Sequence, residues 1–96
     1  MVRPRLHRRV RFSPGVIYFK PQGIPLWELQ EIVLKVEELE AVRLHDLENL
    51  SQEKCAKKMV ISQSTFNRLV IVARKKIAEA IVNGKAIRIE GGNYNL

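Results

Sequence analysis

Apolar residues recur along this chain in two periods, and the change of period marks its elements. Val16 to Lys20 is a β-prone run closed by Pro21, Gly23 and Pro25, which predicts a short strand. Pro25 suits the first turn of a helix, and Leu26, Leu29 and Val33 would share one face of a helix over 26–34. Leu39, Val42 and Leu47 predict a second helix over 36–48. Its first turn holds Glu37, Glu38 and Glu40, acids that suit the positive end of a helix dipole. A third helix is expected after Ser51, a good N-cap, and extends to about Lys58. Ser62 starts the fourth, whose stripe of Phe66, Leu69, Val70, Ala73, Ile77, Ala80 and Ile81 has the spacing of one buried face. Asn83-Gly84 ends it, glycine taking the left-handed cap. Ala86 to Glu90 then alternates, with Ile87 and Ile89 on one side, as a strand expected to pair with 16–20.

The expected fold is therefore mainly α: about four helices with a short β element built from N- and C-terminal segments. Ninety-six residues leave room for one core. The reading divides them into a basic arm over 1–15, a domain over 16–90 and a flexible tail over 91–96. The longest apolar stretch is Leu69 to Ala73, whereas a membrane helix needs about 20 residues. Arginines stand where a secretory signal needs an apolar core, so a cytoplasmic protein is expected.

Charge sharpens the picture. Seventeen Lys and Arg oppose ten Asp and Glu, for a net +7. The first 25 residues hold six basic residues and no acid, residues 26–53 hold eight acids against Lys35 and Arg43, and residues 54–88 hold nine basic residues against Glu79. Two basic blocks predict a polyanionic partner, with nucleic acid the first candidate.

The segment Ser51 to Leu69 carries the most specific pattern: two capped helices about four residues apart. Small Ala56 falls where the helices of a helix-turn-helix cross, and Cys55, Met59, Ile61, Phe66 and Leu69 supply the apolar contacts. Val60 stands where glycine is usual, because that turn often needs positive φ. Either the turn is shaped differently or it carries strain.

With the second helix in a major groove, Gln63, Ser64, Asn67 and Arg68 are the expected base readers, with Ile71 beside them. Asn and Gln suit adenine and Arg suits guanine. Ser51, Gln52, Lys54, Lys57, Lys58, Arg74 and Lys75 are the expected phosphate contacts, with Lys76 in the same run. The arm residues Arg3, Arg5, Arg8, Arg9 and Arg11 suit a minor groove or a backbone.

The chain also resembles a known family, the small prokaryotic UPF0251 (DUF134) proteins. The likeness rests on Arg3-Pro4-Arg5, Arg8-Arg9-Val10, Tyr18-Phe19-Lys20-Pro21 and Glu38 to Leu44. It continues through Ser51-Gln52-Glu53, Ser62 to Phe66 and Asn83 to Ile87. The resemblance implies a DNA-binding, regulator-like protein whose helix-turn-helix is similar to region 4 of sigma factors.

Other residues are read more plainly. Lone Cys55 is a small core residue, His45 a surface residue, the Glu37–Glu40 cluster a solvated turn, and Trp27 and Tyr94 packing residues. No nucleophile–base pair, phosphate loop or metal-ligand spacing exists, so neither an enzyme nor a cofactor is expected. Double-stranded DNA is thus the expected partner, for a transcription regulator. The alternative is a protein-interaction module meeting the transcription machinery, with RNA polymerase as partner and the acidic 26–53 block as surface. RNA binding ranks third, for want of stacking aromatics. The small core and pairable strands point to a homodimer.

Overall fold

Two serine hydroxyls set the frame of the helical half. In the computed structural model, which describes residues 8–92 and the backbone of Tyr94–Asn95, Ser51 Oγ accepts the Lys54 N–H at 3.2 Å. Ser62 Oγ accepts the Thr65 N–H at 3.1 Å. Each satisfies a donor that a helix start would otherwise leave without a partner. The chain order is β1 (Arg8–Arg9), β2 (Tyr18–Phe19), β3 (Glu31–Leu34), α1 (Val36–Val42), α2 (Gln52–Met59), α3 (Gln63–Asn83), β4 (Ala86–Ile89) and β5 (Tyr94–Asn95). The fold is mainly α, with three α-helices among the described residues rather than four.

The helix expected over 26–34 is replaced by a single 3-10 turn, Leu26–Glu28, followed by β3. Pro25 does precede a turn, but Ile32-Val33-Leu34 is a β-branched-rich run, and a ladder partner outcompetes the helical spacing of Leu26, Leu29 and Val33. That partner is β4, which runs parallel to β3 (Ile32 opposite Ile87, Leu34 opposite Ile89). On its other side β4 pairs antiparallel with β2, as expected (Tyr18 opposite Arg88, Phe19 opposite Ile87). The last strand of this sheet is therefore its centre.

One face of the sheet meets α3 in a core of Val10, Leu34, Val36, Ala73 and Ile89, with Phe12, Leu39, Val42, Ile77 and Ile87 packed against it. A second core joins all three helices: Ala41, Leu44, Cys55, Ala56, Met59, Phe66 and Val70, flanked by Leu50, Ile61 and Leu69. Each large apolar side chain so buried contributes roughly 1.5–3 kcal/mol. The second core includes all six residues that the helix-pair pattern picked out, joined by Ala41, Leu44, Leu50 and Val70.

Two apolar expectations fail for geometric reasons. After Val42 the helix widens into a π-turn, Arg43–Leu47, which brings Leu44 inward and leaves Leu47 exposed. In α3 the buried stripe turns through Ala73, Ile77 and Ala80, so Ile81 falls on the exposed flank. Gly84, at φ 65°, closes α3 as predicted.

Residues 8–12 of the basic segment are woven into the domain. β1 pairs parallel with β5, Val10 is fully buried, and the Arg11 N–H reaches Glu40 Oε2 at 2.9 Å. The segment after Ile89 is tied down as well. Val36 N–H donates to Gly91 O at 3.3 Å, and Gly92, at φ +102°, passes so close to Glu37 that a Cβ there would collide with the carboxylate.

The α2–α3 turn resolves the Val60 question. Val60 adopts φ 57°, ψ 49°, the left-handed conformation, and does so at 64% exposure. The geometry lets the Val60 N–H reach Lys57 O (3.2 Å) and the Ile61 N–H reach Ala56 O (3.0 Å), closing α2. A β-branched residue held there stores roughly 1–3 kcal/mol of strain. Val60→Gly removes that strain and gives back about 0.5–1 kcal/mol in unfolded-chain flexibility. The variant should unfold about 4–8 °C higher in a circular-dichroism melt. An unchanged or lower midpoint would show that the turn stores no strain.

Candidate nucleic-acid interface

Phe66 and Val70 are fully buried, and they fix how α3 faces outward. Rooting those positions leaves Gln63, Ser64, Asn67, Arg68 and Ile71 exposed along the first half of α3. The four expected base readers are thus brought together on one face. Among the described residues, the side chains of Gln63 and Arg68 make no hydrogen bond or ion pair. Asn67 Oδ1 receives Gln52 Nε2 at 3.4 Å, which ties the start of α2 to the middle of that face. Ser64 Oγ lies 3.3 Å from the capping hydroxyl of Ser62.

Along α2, Lys54, Lys57 and Lys58 are all exposed. Lys57 makes only a surface pair with Glu53 at 3.4 Å, of small energetic consequence. Ser51 is occupied as a cap, and its hydroxyl serves the backbone first.

The other cations are sorted differently than their sequence positions suggest. Arg74 is clamped by Asp46, Nε to Oδ2 at 3.0 Å and Nη2 to Oδ1 at 2.5 Å. That hydrogen-bonded guanidinium holds the Asp46 carboxyl below its usual range. The folded value is depressed, so the clamp contributes fully above the ordinary carboxylate range and is lost as pH falls through the lowered value. Lys76 turns inward to Glu38 Oε1 at 2.7 Å, whereas Lys75 remains exposed.

In the N-terminal segment, Arg8 lies 3.1 Å from Glu37 and is largely covered, whereas Arg9 and the Arg11 side chain are exposed. Arg3 and Arg5 lie outside the described residues, as does the side chain of Tyr94. A cavity of about 210 Å³ lined by Arg8, Glu38, Thr65, Arg68, Leu69 and Val72 connects β1 to the middle of α3.

The acids are the residues that pattern reading misplaces. Glu37 and Glu38 are nearly inaccessible and Glu40 is 0% exposed, so this is no solvated turn. Glu38 Oε1 accepts the Lys35 N–H at 2.9 Å at the head of α1 and also takes Lys76. Glu40 takes Arg43 through Nε at 2.6 Å and Nη2 at 3.1 Å, besides the Arg11 N–H. Arg43 also pairs with Glu48 and stacks 4.9 Å over the Phe12 ring.

Glu31 accepts both Arg88 and the Tyr18 hydroxyl on the outer face of the sheet. Most carboxylates of segment 26–53 are buried or matched by cations of this chain, whereas Glu28 is exposed. The available signal was the charge arithmetic itself, an acidic block between two basic ones in one small domain.

His45 is also more than a surface residue. It is half-buried, with Nδ1 2.8 Å from Leu50 O and its ring edge-on to Phe66. Cys55 is buried as expected, and burial pushes its thiol pKa up. Trp27, expected to pack, is 84% exposed. Among the described residues no group of His, Cys, Asp and Glu is placed to hold a metal ion. No helix among them is long and apolar enough to cross a membrane.

Comparison with known proteins gives a consistent result. A UPF0251 protein of Moorella thermoacetica is 60% identical over 96 residues, covering all of this chain and 64% of the relative. One from Caldanaerobacter subterraneus subsp. tengcongensis is also 60% identical over 96 residues, covering all of this chain and 81% of that protein. One from Desulforudis audaxviator is 58% identical over 94 residues, covering 98% of this chain and 61% of that protein. The chain thus spans less than two thirds of two of these three relatives. No solved structure matches it. The family described as "Protein of unknown function DUF134" matches residues 1–96, and this chain belongs to it.

Proposed function

We propose that this protein binds double-stranded DNA sequence-specifically through the α2–turn–α3 unit and acts as a transcription regulator. One observation carries the reading: the exposed row Gln63, Ser64, Asn67 and Arg68, held rigidly by a buried seam of Phe66 and Val70. Those side chains match the donor and acceptor patterns of base edges in a major groove. The lysines of α2 lie alongside, where the first helix of such a unit meets phosphates. The internal use of the acids supports the same reading, since it leaves a more uniformly basic exterior than the sequence suggests.

Selection from a randomised duplex pool, paired with a salt titration on random duplex, tests it. An enriched motif is expected. With Lys54, Lys57, Lys58 and Lys75 on phosphates, the slope of log K against log salt should be about −4. A salt-dependent affinity with no enriched motif would overturn base reading, and no binding to any duplex would overturn the proposal.

The Asp46 clamp gives a further expectation. Asp46→Ala frees Arg74, adding one phosphate contact and steepening the salt slope by about one. Stability should change by less than about 1 kcal/mol, since the pair is surface-exposed. An unchanged slope would mean that Arg74 faces away from the duplex.

A further inference from the structure

The end of the molecule remote from Gln63 has a different character. α3 is 21 residues long, about 31 Å, so its last turn lies far from its reading half. There Ile81 and Val82 are exposed, and Phe19 and Pro21 face Ile81 across an open groove of about 300 Å³. Leu26 and Trp27 belong to the same end. They precede β3, whose first residue pairs with Ala86 just after α3 closes, and the Ala86 N–H donates to Gln30 O at 2.9 Å.

We infer that this end, centred on Trp27, Phe19 and Ile81, is a self-association surface that pairs two copies of the chain about a twofold axis. The area is sufficient. Two partly exposed aromatics and three aliphatic side chains present on the order of 600 Å² per copy. A pair would bury about 1,200 Å², the lower end of stable interfaces and above ordinary packing contacts.

Charge selects a second copy as the occupant. The chain carries +7, so copies repel over most of their surface. At this end the charge is locally matched: Lys85, which lines the groove, is paired with Glu79 at 2.7 Å, and Glu28 follows Trp27 directly in the chain. Such a rim is self-complementary, as a twofold interface requires. A basic or an acidic partner would gain nothing from it.

The inference does not depend on DNA binding, and its test uses the full chain alone. Trp27 is the only tryptophan, so its emission reports burial of this surface directly. Sedimentation equilibrium from micromolar to millimolar concentration should show a monomer–dimer equilibrium, with Trp27 emission shifting to the blue as dimer forms.

Ile81→Lys should weaken dimerisation about 30-fold or more with helical content unchanged, as loss of a central apolar contact does. Leu47→Lys, equally exposed but away from this end, should leave the dimer intact. A monomer with constant emission at all concentrations would overturn the proposal. So would a dimer indifferent to both Ile81→Lys and Trp27→Ala, because its interface would lie elsewhere.

Discussion

Glu40→Ala should be among the most damaging single substitutions in the described part of this molecule. The carboxylate is wholly inaccessible and holds three donors: Arg43 Nε, Arg43 Nη2 and the Arg11 N–H. Removing it leaves the Arg11 amide without an acceptor and the Arg43 guanidinium, itself largely covered, facing a void. Breaking one side of a buried pair costs about 3–5 kcal/mol. Arg43 keeps Glu48, which argues for the lower end, about 3 kcal/mol. For a domain of this size that lowers the thermal midpoint by about 12–24 °C.

Two comparisons separate this from mere loss of volume. Glu48→Ala removes the exposed partner of the same arginine and should cost less than about 1 kcal/mol. Glu40→Met with Arg43→Met replaces the buried pair by apolar groups and should be milder than Glu40→Ala alone. If Glu40→Ala melts within a few degrees of the parent, the buried network does not hold β1 to α1.

Arg68→Ala should have the largest effect on sequence recognition, given the DNA-binding reading. Arg68 is exposed beside Asn67, and a bidentate contact with a guanine edge supplies roughly 1–3 kcal/mol of discrimination. The expected result is about a 5- to 150-fold loss of preference at one base position, with affinity for random duplex nearly preserved. Lys57→Ala should do the reverse, weakening binding equally on all sequences and reducing the salt slope by about one. Both variants should melt like the parent, because both side chains are exposed. If Arg68→Ala leaves the selected motif unchanged, α3 is not the reading helix in this orientation.

Much of the helical half was legible in the sequence because its determinants are local. A serine cap, a 3.6-residue stripe and a terminal glycine act within a few residues of one another. Ser51, Ser62, Phe66 and Gly84 therefore sit as their spacing indicates. Even the question at Val60 was visible, since the positive-φ requirement belongs to a turn of known shape, although the spacing left a differently shaped turn open.

The pairing of 16–20 with 86–90 apart, what escaped was decided by distant partners. Residues 31–34 have a helical spacing of apolar groups and also a strand's composition, and only the presence of β4 chooses between them. Glu37, Glu38 and Glu40 look solvated until Arg8, Arg11, Arg43 and Lys76 arrive from before and after them. The π-turn is set by tertiary packing of Leu44 and has no short-range cue, so Leu47 was placed on the wrong side. In the candidate site the same division holds. The α3 row follows from helical geometry, whereas the engagement of Arg74 by Asp46 does not.

The position of β4 at the centre of its sheet also orders events in time. Neither β2 nor β3 can find its ladder until residues 86–89 have been synthesised, because among the described residues those two strands pair only with β4. The α2–α3 seam, by contrast, closes over short sequence distances and needs no later residue beyond α3 itself. Local contacts form fast and long-range ladders slowly. On a ribosome the helical pair would therefore assemble first, and Ile32 and Leu34 would wait exposed until β4 emerged to join them.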